Sequence, residues 1–316
     1  MKIGIVVGSD LSQVEAMSRR AEDAGFESLW VAETARTAFI PAALAFPRSP
    51  AITAMSARDL AELSAGRFIL GLGSQVKRIN EERFGVPFEH PAPKMGEYID
   101  AVREVLGGFE GRRPHHVGRF YRITMAPFPG AGPPPSPIPI YLAAVNERMA
   151  ETAGRVADGI SGHPMNSPEY LSKVVVPAIE RGARDTGRDP SAISVTTNLI
   201  TQVGRDAKEA KREAALQIAF YATTRSYKPV LATHGFEDLV DPLREAHSRG
   251  DVAEMTRLAE PMVDTLAAAG TPDEVRERVS AFDGTADRVI LGGAWVGPSP
   301  ERVRESHELL LATFGR

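Results

Sequence analysis

The sequence predicts an α/β protein of the (β/α)₈-barrel class, with an open doubly wound sheet as the alternative. Three observations predict it. Short apolar runs alternate with helical patterns from one end of the chain to the other. The runs are near-continuously apolar, as strands of a parallel sheet covered on both faces are. No shift of composition along the 316 residues marks a boundary, so one barrel domain is expected over residues 1–316.

The strands are expected at Lys2–Gly8, Ser28–Glu33, Arg67–Gly73, Ile138–Ala144, Asp158–His163, Ile193–Val203 and Arg288–Trp295. Between them the clearest helix runs from Tyr170 to Arg184, with Leu171, Val174, Val175, Ala178 and Ile179 at helical spacing. Ser49-Pro50, Ser167-Pro168, Thr271-Pro272 and Ser299-Pro300 each set a capping side chain before a proline at the first helical position. Glu274 follows Thr271 at the spacing of a capping box. A short β-piece is expected at Gly118–Ile123, and a mostly helical excursion at about 207–269. This gives seven strands, and the interval from Glu33 to Pro50 is too short for a helix, a third strand and two loops.

Composition narrows the function. A chain with 43% hydrophobic and 25% charged residues is neither disordered nor a coiled coil. The net charge of −4 and the lack of a basic block argue against a nucleic-acid partner. Zero cysteines remove disulfides, thiolate metal sites and thiol catalysis, and agree with a cytoplasmic location. The apolar start is too short for a signal peptide, and prolines break the uncharged stretch Thr124–Asn146, so no membrane partner is expected.

The chemistry-bearing residues are few. Gly71-Leu72-Gly73 lacks the third glycine of a dinucleotide fingerprint. His115-His116, in a polar stretch without nearby carboxylates, reads as a solvated turn rather than a metal site. In a barrel, chemistry gathers where strands end. Those ends carry Glu33, Ser74 with Gln75, Ala144 with Val145 and Asn146, Gly162 with His163, and Trp295. Glu33 and His163 are the strong acid/base candidates, and neither has an evident partner. A mouth so poor in proton-transfer groups points to chemistry supplied by a cofactor. Asn146 would cap a helix start whose N–H groups suit a phosphate, though small residues packing a crowded barrel end explain the same pattern. Tyr221 and Tyr227 either close over substrate or only pack, and Lys77 and Arg78 meet an anionic tail or form a solvated pair. Trp295 stacks on a ring or plugs the barrel.

Two strings carry a family resemblance: Phe26-Glu27-Ser28-Leu29-Trp30-Val31-Ala32-Glu33, and Leu63-Ser64-Ala65-Gly66-Arg67-Phe68-Ile69-Leu70-Gly71-Leu72-Gly73-Ser74. Ile140–Ala144, Ala157–Ile160 and Gly270–Val275 extend it over nearly the whole chain. The sequence resembles the luciferase-like monooxygenase superfamily, most closely its branch using the deazaflavin coenzyme F-420. The resemblance implies a (β/α)₈ barrel, commonly a homodimer, that holds a flavin or deazaflavin across the strand ends. By position, Ala144, Val145, Asn146, Gly162 and His163 would line the cofactor phosphate region, with Glu33, Ser74 and Gln75 near the ring. Coenzyme F-420 moves a hydride through ring C5, so the enzyme need only position ring and substrate.

Two departures stand out. Thr34 and Val76 occupy positions where sugar-phosphate dehydrogenases of the family carry histidine and glutamate, which disfavours glucose-6-phosphate oxidation. The family's third strand, which carries a strained non-proline cis peptide, has no counterpart before Phe46-Pro47-Arg48-Ser49-Pro50. A true deletion, a stretch left out with the numbering closed up, or Ile40–Phe46 serving as the strand would each explain this. The last leaves no crossover helix. The function expected is hydride transfer between coenzyme F-420 and a small organic substrate. The alternatives are an FMN-dependent monooxygenase and a cofactor-free scaffold or partner subunit.

Overall fold

The computed structural model describes residues 1–7, 14–30, 49–128 and 130–315. Glu33, Thr34 and the stretch Ile40–Phe46, and with them the question of the third strand and its cis peptide, lie outside the described residues. Among the described residues the strands in chain order are β1 (Lys2–Val6), β2 (Ser28–Trp30), β3 (Leu70–Leu72), β4 (His115–Val117) and β5 (Arg122–Thr124). There follow β6 (Ile140–Ala144), β7 (Gly159–Gly162), β8 (Ser194–Val203), β9 (Ala267–Gly270) and β10 (Arg288–Gly292). The chain divides into two compact units.

The first unit comprises residues 1–31, 162–176 and 195–316. Its strands run parallel in the order β2-β1-β10-β8, with β9 added to β8. Ile5, Val289, Ile290 and Leu291 are fully buried, which is why these segments read as unbroken apolar runs. The excursion is mostly helical, as expected, and ends in strand β9. Ala267, Ala268 and Ala269 read as helix by propensity, yet they pair in parallel with Ile200, Thr201 and Gln202. Their small side chains let the strand lie buried against the helices Ala207–Ala222 and Pro272–Ser280. The latter helix begins with the capping box expected at Thr271 and Glu274. Strand β10 stops at Gly292, short of Trp295, which stands in the following loop.

The second unit comprises residues 32–161 and 177–194. Here β3 pairs in parallel with β6, Leu70 opposite Ile140 and Leu72 opposite Leu142, and β7 neighbours β6. The Asp158 carboxylate accepts hydrogen bonds from Ile140 N–H and Arg103 Nη2, both at 2.8 Å, and so anchors the start of β6. Helices Pro50–Leu63 and Pro91–Phe109 pack together. The longer one buries Met95, Tyr98, Ile99, Val102 and Val105 at three- and four-residue spacing. Strands β4 and β5 form a separate antiparallel pair, where the sequence indicated one short β-piece. Of the helix expected at Tyr170–Arg184, this unit holds nearly all of Val176–Asp185, while Pro168–Tyr170 and a π-helical turn over Leu171–Val175 belong to the first unit.

Candidate active site

In the first unit the geometry centres on the end of β7. Glycine at 162 leaves room for its neighbours: a Cβ there would lie 2.5 Å from Asn166 Nδ2 and 2.8 Å from Thr197 Oγ1. Asn198 Nδ2 donates to the Gly162 carbonyl at 2.8 Å, and Asn166 N–H donates to the His163 carbonyl at 2.9 Å, closing a tight turn. Met165 N–H donates to His163 Nδ1 at 3.3 Å, so the neutral imidazole carries its proton on Nε2.

The His163 ring stacks on Tyr227, with centroids 4.1 Å apart, and meets Tyr221 edge-on at 4.7 Å. Burial among these rings disfavours the imidazolium and pushes the His163 pKa down to about 3. The same burial raises the phenol of Tyr221, against hydrogen bonding toward Trp295 and Gln217. Tyr227 rises to about 12 through burial and the neighbouring Tyr221. All three side chains are therefore uncharged at neutral pH. The Asn166 side chain is fully buried, with neither amide atom hydrogen-bonded. A buried amide in that condition is suited to a polar ligand atom.

In the second unit Ser74 and Gln75 follow β3 in a sharp turn. Gln75 takes a left-handed conformation at φ +57°, and its Oε1 accepts from Val76 N–H at 3.0 Å. Buried Asn80 holds the turn from beneath. Its Nδ2 donates to the Ser74 carbonyl at 2.8 Å and to the Val76 carbonyl at 3.1 Å. Continuing the β3–β6 register sets this turn beside Ala144, and a Cβ at Gly73 would lie 3.1 Å from Ala143 Cβ. Asn146 occupies the N-cap position of the helix Glu147–Val156, but its side chain makes no capping bond. The cap expected from the sequence is thus positional only: the Asn146 carbonyl, not its side chain, accepts the N–H of Met149, at 3.0 Å. The carboxylate of Glu147 is drawn aside into an ion pair with Arg181.

Several expectations change. Glu33 lies outside the described residues, which leaves His163 as the acid/base candidate that the structure describes. Lys77 and Arg78 are exposed and pair with Glu81 and Glu82, as a solvated face does. His115 and His116 form β4 rather than a turn, and a carboxylate is close by. Glu97 lies 3.4 Å from His116 Nε2 and accepts the N–H groups of Arg119, Phe120 and Tyr121. Burial raises the Glu97 pKa, but these hydrogen bonds outweigh it and hold the carboxylate below its usual range. Among the described residues no cluster has the makings of a metal site. Asn80, Asn166 and Gln217 were missed from the sequence because a lone amide carries no motif.

A triad-like arrangement also forms in the first unit. Ser167 Oγ lies 2.8 Å from His234 Nε2, and His234 Nδ1 lies 3.5 Å from Glu169 Oε2. Ser167 is only 2% exposed, and its Oγ accepts Tyr170 N–H as the helix cap. A hydroxyl so enclosed and occupied is a latch, not a nucleophile.

Comparison with known proteins agrees with the resemblance read from the strings. The family model of luciferase-like monooxygenases matches residues 34–288. An uncharacterized protein of Mycobacterium tuberculosis is 35% identical over 314 residues, covering 92% of each chain. The 5,10-methylenetetrahydromethanopterin reductase of Archaeoglobus fulgidus is 26% identical, covering 96% of each. The solved coenzyme F-420-dependent tetrahydromethanopterin reductase of Methanopyrus kandleri matches with a TM-score of 0.81 and 25% identity, covering 98% of this chain and 97% of that one. Among the described residues no helix is long and apolar enough to cross a membrane. A mostly parallel sheet with alternating helices, the strings at the strand ends and the family match agree, and the chain belongs to the luciferase-like monooxygenase family.

Proposed function

We propose that this oxidoreductase transfers a hydride between coenzyme F-420 and a small organic substrate. The observation that carries the reading is the state of His163. It is a neutral imidazole among tyrosines, and burial alone accounts for its lowered pKa. Such a group donates a hydrogen bond through Nε2–H but does not relay protons at neutral pH. A site built on it orients an oxygen and leaves the redox step to a cofactor. The reductases similar to this chain, one of which is named for its dependence on coenzyme F-420, support that cofactor.

The residues fit such a group. In the first unit the buried, unpaired Asn166 amide offers a polar ligand atom both a donor and an acceptor; in the second, taken by itself, the helix Glu147–Val156 begins without a side-chain cap, a kind of helix start that suits an anion. Coenzyme F-420, when bound, supplies a two-electron hydride centre. The roles proposed on the resemblance are, in the second unit, phosphate contacts at Ala144, Val145 and Asn146 and ring contacts at Ser74 and Gln75, and, in the first unit, a phosphate contact at Gly162. His163 Nε2–H orients the reacting oxygen, and Tyr221 and Tyr227 exclude water. Glu33 is proposed, on the resemblance, as a second catalytic group. Thermal melting tests the reading: coenzyme F-420 is expected to raise the melting temperature by several degrees. No change with coenzyme F-420 together with a rise with FMN would overturn it in favour of a flavin monooxygenase.

A further inference from the structure

An apolar groove of about 320 Å³ runs along the first unit, between the helix Ala207–Ala222, the start of the helix Val252–Ala259 and the loop after β10. Leu216, Phe220, Val252, Met255 and Val296 form its walls. Among the described residues its one titratable lining residue is His247, and no carboxylate, lysine or arginine lines it. The volume falls at the lower end of the roughly 300–1,000 Å³ typical of small-molecule sites.

The loop beside the groove is fixed in place. Gly297, at φ +97°, approaches the helix so closely that a Cβ would lie 2.5 Å from Leu216 Cδ2. Gln217 Oε1 accepts the N–H groups of Trp295 and Val296 at 3.0 and 3.1 Å, and Gln202 Oε1 accepts that of Ala294 at 2.9 Å. Gln202 is itself held by Glu213, which pairs with Arg302 at 3.0 Å. Yet this rigid loop holds Trp295 at 56% exposure, and Val252 at the groove is 54% exposed. A large aromatic side chain pinned out in water is a ready-made contact surface.

Phe220 is the helix neighbour of Tyr221, which belongs to the candidate site. It lines the groove, meets Trp295 edge-on at 5.4 Å and lies 5.8 Å from Tyr221, which packs on His163. We propose that this groove is the subsite for an uncharged, hydrocarbon-rich part of the organic substrate, with Phe220 as its aromatic wall and Trp295 packed edge-on against the Phe220 ring beside it. The proposal rests on the oxidoreductase reading above. A phosphate or carboxylate group is rejected here, because burying its charge without a partner is costly.

The test uses the full chain and N-phenyl-1-naphthylamine, an uncharged fluorescent probe excited by energy transfer from tryptophan. Saturable one-to-one binding is expected. The chain has two tryptophans, so Trp295→Phe should remove most of the transferred emission and Trp30→Phe should preserve it. Leu216→Trp fills the groove and should weaken probe binding at least tenfold. Val252→Asp changes an exposed residue without threatening the fold and should weaken it several-fold. Wild-type affinity in both of these variants, or loss of transfer in Trp30→Phe instead, would overturn the proposal. Coenzyme F-420 binding is measured separately on the same proteins. Its absence beside intact probe binding would sink the cofactor reading while supporting the groove as an apolar site.

Discussion

The imidazole of His163 and the phenol ring of Tyr227 lie nearly parallel, 28° between planes and 4.1 Å between centroids. The contact joins the end of β7 to the segment after the helix Ala207–Ala222. Stacking on a tyrosine face, with Tyr221 at the edge, removes water from the imidazole without supplying a counter-charge. That is why the group stays neutral.

The sign of the resulting pH dependence is fixed. In the unfolded chain His163 takes up a proton near its ordinary pKa of about 6.5, and in the folded protein near 3. Its contribution to stability is therefore complete above pH 6.5 and is lost as the pH falls toward 3. Urea midpoints measured from pH 7 to pH 4.5 should decline in the wild type and decline less in His163→Gln. By NMR the His163 ring resonances should not titrate between pH 5 and 8. A midpoint near 6.5 would contradict the burial argument.

Gly162→Ala tests the crowding at the end of β7. The new methyl would meet Asn166 and Thr197 at distances that real side chains avoid, and overpacking of this kind costs about 1–3 kcal/mol. Urea denaturation should show that loss. A wild-type midpoint would mean that the Asn166 side chain simply moves aside.

Asn80→Ala removes two hydrogen bonds under the Ser74–Gln75 turn. About 1–2 kcal/mol of stability should be lost, and coenzyme F-420 affinity should fall roughly tenfold if the turn backs the ring, since 1.4 kcal/mol is a factor of ten. Calorimetric titration of the folded variant separates the two effects.

The ion pair of Glu213 and Arg302 is largely shielded from solvent, with each side chain about one-seventh exposed. Glu213→Ala leaves Arg302 only the more exposed carboxylate of Glu305, at 3.4 Å, and frees Gln202 Nε2. A loss of about 1–3 kcal/mol is expected, together with lower fluorescence anisotropy of Trp295, because Gln202 holds Ala294 N–H. Anisotropy unchanged from the wild type would show that Gln217 alone fixes the loop.

What was legible in the sequence was what local chemistry decides. The capping side chains Ser49, Ser167, Thr271 and Ser299 all accept the bonds expected of them. Each of the seven apolar runs contains a strand, and in β6, β8 and β10 near-complete burial leaves no polar alternation to blur it, whereas β2 keeps Leu29 exposed. Strand β9 was illegible because alanine favours helix, and only pairing with Ile200–Val203 makes Ala267–Gly270 a strand. In the candidate site, His163 and Gly162 stood out by their place at a strand end. Asn166, Asn80 and Gln217 did not, since their partners are set by the folded chain.

The central claim is that the chain prefers a deazaflavin over a flavin. Equilibrium titration of one preparation with coenzyme F-420 and then with FMN, followed by quenching of cofactor fluorescence, tests it most directly. The account predicts saturable binding of coenzyme F-420 with the lower Kd of the two; tighter binding of FMN, or no binding of coenzyme F-420, would contradict it.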